Sequence, residues 1–290
     1  MTAIVAFVAT AYGLAIALSL VIGLTGGHSS ALIGLAYLSM FLPALSVLIV
    51  NLAMHDPPSI RWVRFPLRYL PVALFLMPGV LHAVMLPLMA TIGGGVQWQD
   101  WLTPQPDGLY HTPASRGWGA LTIQALAVRM ALNAVIGLAV VSFLAFFEEL
   151  GWRAWLLPRL QSRIGAHRAV VVTAIVWALW HVPFQLPGIL HIDGISPMKL
   201  ALSLPLGTLA AGFILGWLWL RTESVWLCAI AHGSLNNWGQ YAFKFMKDSV
   251  EPNIDLAILS AGSLALLAAG VFLLWCAAPP PARYGRIESA

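Results

Sequence analysis

Apolar runs of about 20 residues recur along almost the whole of this chain, and each is long enough to cross a ~30 Å hydrocarbon core as one helix. In lipid, only helices and closed barrels satisfy their own backbone groups, so the length of these runs selects helices. Hydrophobic residues make up 60% of the 290 and charged residues 9%, which leaves too little polar surface for a separate soluble domain. The fold class is read as all-α, a polytopic transmembrane helical bundle forming a single integral-membrane domain over 1–290.

About eight spans are placed at 3–24, 31–52, 69–92, 120–147, 168–190, 200–220, 224–245 and 255–277. The first has no positively charged leader and is too long for a secretory h-region, so it is expected to be retained. Pro71, Pro78 and Pro87 are expected to kink span three. The connection 93–119 carries Trp98, Trp101 and Trp118, which suit a segment at the membrane interface. Cys228 and Cys276 both fall inside spans, so a disulfide framework is not expected.

Loop charge sets an orientation. Ten arginines fall on one side, among them Arg153, Arg159, Arg163 and Arg168 after span four. Arg116, Lys199, Lys244 and Lys247 fall on the other, with Arg129 set aside inside a span. The positive-inside rule then puts both termini in the cytoplasm, consistent with a bacterial inner membrane. The net charge of +4 is loop charge beside a membrane, with no basic patch to bind nucleic acid.

Against that apolar background, a few polar residues stand out. Glu148 and Glu149 end span four in FLAFFEELGWRAWLLPRL, with Arg153 just beyond. Charge at membrane depth is expensive and marks function by default. Glu149 and Arg153 are four apart and share a helix face, so they neutralise each other. Glu148 points about 100° away and lacks that partner, which assigns it to chemistry. The structural alternative is an ordinary ion pair at a span end. His181 lies in WALWHVPF, four residues after Trp177, and Pro183 is expected to bend the chain just past it. His232 and Asn236 are again four apart in AIAHGSLNNW, a donor pair suited to a carbonyl oxygen gaining charge. Either histidine and the asparagine serve equally as interhelical glue. At 1.5 Å per residue, all three groups lie roughly 12–20 Å from the arginine-rich side, in one layer. The core 120–245 is thus expected to be catalytic.

Glu148-Glu149-x-x-x-Arg153, Trp177-x-x-x-His181 and His232-x-x-x-Asn236, in that order on polytopic helices, resemble the CPBP family. These are the CAAX proteases and bacteriocin-processing (Abi) proteins, including the Ras-converting type of prenyl endopeptidase. The resemblance covers about 145–245. Trp177 stands where the family more usually has phenylalanine, keeping an aromatic wall, so the change is read as bearing on pocket shape more than on chemistry. The resemblance implies an intramembrane protease in which Glu148 and His181 activate water, while His232 and Asn236 stabilise the oxyanion. Glu149, Arg153 and Trp177 are supporting residues. The implied partner is a membrane-associated peptide or protein in the bilayer, with prenylated CAAX-like chains among the candidates.

No cofactor is expected. The alternative is Zn2+ on Glu148, His181 and His232, a set without the His-Glu-x-x-His spacing and drawn from three helices. Two other functions compete: a non-enzymatic bacteriocin-immunity or peptide-binding membrane protein, and a proton-coupled carrier. Spans one to three have no counterpart of the polar groups, which counts against a two-fold carrier.

Overall fold

The computed structural model describes residues 1–25, 33–55, 65–92, 102–112, 119–184, 197–239 and 252–276. It is a helical bundle, as the apolar runs require. The helices are α1 (Thr2–Leu24), α2 (Leu42–Met54, entered through a 3-10 helix at Ile33–Phe41), α3 (Leu70–Thr91), α4 (Ile123–Ile164), α5 (Ala166–Trp180), α6 (Pro197–Thr222), α7 (Val225–Ser234) and α8 (Pro252–Cys276). Among the described residues six helices are long and apolar enough to cross a membrane by length and composition: α1, α2 with the 3-10 turn before it, α3, α4, α5 and α8. The interfacial reading of Trp98, Trp101 and Trp118 falls outside the described residues. Next to it, β1 (Thr103–Pro104) and β2 (Tyr110–His111) pair antiparallel through a turn containing Asp107 and Gly108.

Helix α4 departs most from expectation. The run expected to stop at 147 continues to Ile164 and contains two π-helical segments, Asn133–Gly137 and Leu150–Leu156. Each π turn inserts an extra residue and widens the helix, a device common at functional sites. From Gly151 to Leu157 every residue is buried. Trp152 and Trp155 both pack on Phe7 of α1, with ring centroids at 5.4 and 4.7 Å. Trp155 also donates from Nε1 to Asn51 Oδ1 of α2. The stretch after the glutamates is therefore enclosed on all sides rather than a cytoplasmic loop. This corrects the charge count: Arg153 is 0% exposed and does not belong with the loop arginines.

Small residues bring the inner helices together, as expected where lipid supplies no hydrophobic drive between helices. Gly212 and Gly216 of α6 sit against Ala174 and Val170 of α5, so close that an added Cβ would stand 2.6 and 2.5 Å from their side chains. Gly233 of α7 sits on the backbone of Ser142 in α4. A side chain to backbone bond fastens α7 to α3: Ser234 Oγ donates to the carbonyl of Leu74. Past α7 a third π segment, Leu235–Gly239, faces the first π segment of α4. There Asn237 Nδ2 and Trp238 Nε1 each donate at 3.1 Å to the carbonyls of Asn133 and Ala134. Pro78 and Pro87 lie within the single helix α3, and Pro71 occupies its first turn, where a missing N–H costs nothing.

Candidate active site

Three helices deliver the polar residues to one place. Helix α4 carries Glu148 and Glu149 on the last turn before its second π segment, both buried. Helix α5 stops at Trp180, and His181 follows in a turn whose carbonyl accepts from Phe184 N at 3.1 Å. The backbone of His181 stays in the right-handed helical region, and 182–184 are again helical, so the expected bend is not seen within the described residues. Helix α7 starts at Ser224, whose hydroxyl accepts from the Leu227 N–H as an N-cap, and carries His232 two turns in. Asn236 follows in the π segment.

Glu148, Trp177, His181, His232 and Asn236 all line one cavity of about 630 Å³. That is the size of an ordinary small-ligand pocket. Its remaining wall is mainly apolar, from Leu81 of α3, Ala211 of α6, and Leu259 and Leu266 of α8. Tyr37 and Met40 of the 3-10 turn also line it, and Tyr37 is 70% exposed. Nothing in the sequence signals that α8 or the 3-10 turn would contribute, because their lining residues are ordinary span residues.

Each histidine is held by the same ring nitrogen. Nδ1 of His181 lies 2.9 Å from the carbonyl oxygen of Trp177, and a carbonyl only accepts, so Nδ1 carries the proton. Nδ1 of His232 lies 2.9 Å from Glu149 Oε1 and donates to that carboxylate. The second nitrogen of both rings, Nε2, is left for the cavity. Glu149 Oε1 also accepts from Arg153 Nη1 at 2.9 Å, the i, i+4 pair expected from the spacing. Glu149 therefore does more than neutralise Arg153, because it also orients His232. The sequence carries no sign of that bond, since the two residues lie on different helices. Trp177 likewise does more than form a wall: its Nε1–H donates to Glu148 Oε2 at 2.9 Å. Its ring stands edge-on to both histidines, at centroid distances of 5.4 Å to His181 and 5.1 Å to His232. Beneath it, the Arg153 guanidinium lies 4.2 Å from the ring centroid, a cation–π contact.

Among the described residues, no three His, Cys, Asp or Glu side chains stand together at metal-holding spacing. Glu148, His181 and His232 nevertheless line the same cavity. Cys228 is fully buried one turn before His232, with its thiol directed to the Leu215 carbonyl, and Cys276 is free as well.

What the geometry can do is hydrolysis. A carboxylate and an imidazole nitrogen face a space that also meets an amide and a second imidazole, the parts needed to deprotonate water and to hold a developing oxyanion. Comparison with known proteins points the same way. A family model described as type II CAAX prenyl endopeptidase Rce1-like matches residues 130–238, which hold all three motifs. CAAX prenyl protease 2 from the archaeon Methanococcus maripaludis is 30% identical over 131 residues, covering 44% of this chain. The chain spans under half of that relative's length, 46%. Over its motif-bearing stretch, from the first π segment of α4 to the end of α7, this chain is similar to the Rce1-like family.

Proposed function

We propose that the protein is an intramembrane endopeptidase that hydrolyses a peptide bond in a membrane-associated substrate, with prenylated CAAX-like peptides as the leading class. The observation that carries the reading is the convergence of Glu148, His181, His232 and Asn236 on one cavity, with both histidines presenting Nε2.

Glu148 takes a proton from a water molecule as its oxygen attacks the scissile carbonyl carbon, and Nε2 of His181 accepts a hydrogen bond from the same water. The carbonyl becomes a tetrahedral oxyanion. Asn236 donates to it through its amide, and His232 donates from Nε2 when both of its ring nitrogens are protonated. The Glu149 carboxylate supplies the counter-charge for that state. Glu148 then passes its proton to the departing amine as the C–N bond breaks, leaving a carboxylic acid on the retained fragment that gives up its remaining proton to the released amine to become a carboxylate. The apolar cavity keeps these charges in a medium where each interaction is stronger than in water. Arg159, Arg163 and Arg168, which follow the glutamates in sequence, support a site reached from the cytoplasm.

The test uses purified protein in detergent and a prenylated peptide ending in cysteine and three further residues. Mass spectrometry is expected to show release of the last three residues by the wild type and none with Glu148→Ala. Equal cleavage by the two proteins would remove the basis of the assignment. For other peptides, the termini of membrane-associated peptides from cells carrying each form are compared. Identical termini in both favour the peptide-binding, non-enzymatic reading.

A further inference from the structure

We propose that Trp177 is a positioning residue for Glu148, a role its indole N–H fills and a phenylalanine in its place would not. The inference rests on Glu148 being the base. Four contacts converge on this one buried side chain: the N–H bond to Glu148 Oε2, the Arg153 guanidinium beneath the ring, and the two histidine edges. Trp177 is 2% exposed, so the ring has one packed orientation, and the direction of its N–H is set before any substrate arrives.

Among the described residues that N–H is the hydrogen-bond partner of the Glu148 carboxylate. A carboxylate on a rotatable stem in an apolar cavity otherwise has a broad choice of directions. Fixing Oε2 aims the other oxygen into the space shared with His181 and His232. Hydrogen bonds to a charged group are also the strong ones, and an unmet buried carboxylate oxygen is costly. A phenyl ring keeps the wall and the cation–π surface but leaves Oε2 without its donor.

The contact also joins the two arms of the site. Glu148 is held by Trp177, which stacks on Arg153, which pairs with Glu149, which holds His232. The base and the oxyanion donor are therefore oriented by one continuous buried chain, with Trp177 at its centre. The i, i+4 relation between Trp177 and His181 adds the second histidine, whose Nδ1 rests on the Trp177 carbonyl. One residue thus touches the base through its side chain and orients a histidine through its backbone.

Two measurements test this. In protein labelled with 15N-tryptophan, the indole resonance that disappears in Trp177→Phe belongs to Trp177. It is expected to move upfield in Glu148→Ala, which removes the acceptor; a resonance that stays in place overturns the proposal whether or not any peptide is cleaved. In the prenylated-peptide assay, Trp177→Phe is expected to lower kcat by about tenfold or more, the loss of one charge-assisted hydrogen bond in the transition state, with KM changed by no more than about threefold. Incorporating 3-benzothienylalanine at position 177 keeps the ring shape and deletes only the N–H, and is expected to give the same loss with an unchanged melting temperature. Wild-type kcat in either variant, with Glu148→Ala inactive, overturns the positioning role and leaves the hydrolase reading intact. Full activity in Glu148→Ala instead overturns the hydrolase reading itself.

Discussion

Glu149 on α4 holds His232 on α7 by its Nδ1 at 2.9 Å, across 83 residues of sequence and with both side chains buried. The same carboxylate oxygen accepts from Arg153, so one atom fixes an imidazole and neutralises a guanidinium inside the bundle. A histidine gripped at one nitrogen has its other nitrogen aimed, and that is how a carboxylate that never reaches the cavity shapes what happens there.

Glu149→Gln tests this grip. An amide oxygen still accepts one bond but carries no charge to balance Arg153 or a protonated His232. A hydrogen bond to a charged group is worth about 1.5–3 kcal/mol, roughly 10- to 100-fold in rate where it acts in the transition state. The expected result is that drop in kcat on the prenylated peptide with folded protein. Glu149→Ala goes further, because it strands a fully buried guanidinium, and breaking a buried pair in that way costs about 3–5 kcal/mol. Thermal unfolding in detergent should separate the two variants.

Adjacent asparagines give a cleaner contrast. Asn236 lines the cavity, whereas Asn237 is turned away to donate to the Asn133 carbonyl. Asn236→Ala is expected to cut kcat by about 10²- to 10³-fold, the usual loss for one oxyanion donor, with little effect on melting. Asn237→Ala is expected to do the reverse, lowering stability by about 1 kcal/mol for one hydrogen bond while most of the activity remains. Equal kinetic losses in the two would deny Asn236 its special place.

The difference between what the chain announces and what it hides follows from range. The membrane fold was legible because each span states its own length and apolarity, and the starts of α1, α3 and α6 fall within a few residues of expectation. That Glu148, His181, His232 and Asn236 share one cavity was legible because polar side chains stand out within apolar spans. The π segments were not: a π turn depends on what packs around it, and LGWRAWL reads as a helix end followed by a loop. For the same reason Arg153 looked like a loop cation. The cross-helix bonds Glu149–His232 and Trp177–Glu148 were hidden because i, i+4 arithmetic works only within a helix. Tyr37 and Met40 were hidden because an apolar cavity wall is written in the same residues as a lipid-facing surface.

Metal removal gives a third prediction. The proposed glutamate mechanism needs no metal. Dialysis against a strong chelator is expected to leave kcat unchanged, and elemental analysis of active protein is expected to show less than one metal ion per chain. A stoichiometric zinc whose removal stops cleavage and whose return restores it would move Glu148 from base to ligand.

Gly233 offers the most direct link between packing and chemistry. It sits between His232 and Ser234, where α7 crosses α4, and a Cβ there would stand 2.3 Å from Ser142 Oγ and 2.6 Å from Ser142 Cα. A rotamer change relieves the first clash but not the second, so Gly233→Ala has to push the two helices apart. Overpacking of this kind costs about 1–3 kcal/mol. Those same helices carry Glu149 and His232, so a separation of a few tenths of an ångström lengthens the bond that aims the imidazole. Melting temperature and kcat are therefore expected to fall together in Gly233→Ala. Gly13 of α1, with nothing within 4 Å of the same hypothetical atom, is the control. Gly13→Ala is expected to leave activity intact and stability unchanged or raised, since alanine favours helix over glycine by about 1 kcal/mol. A Gly233→Ala protein with both wild-type melting and wild-type kcat would mean that α4 and α7 are not packed this tightly in the membrane.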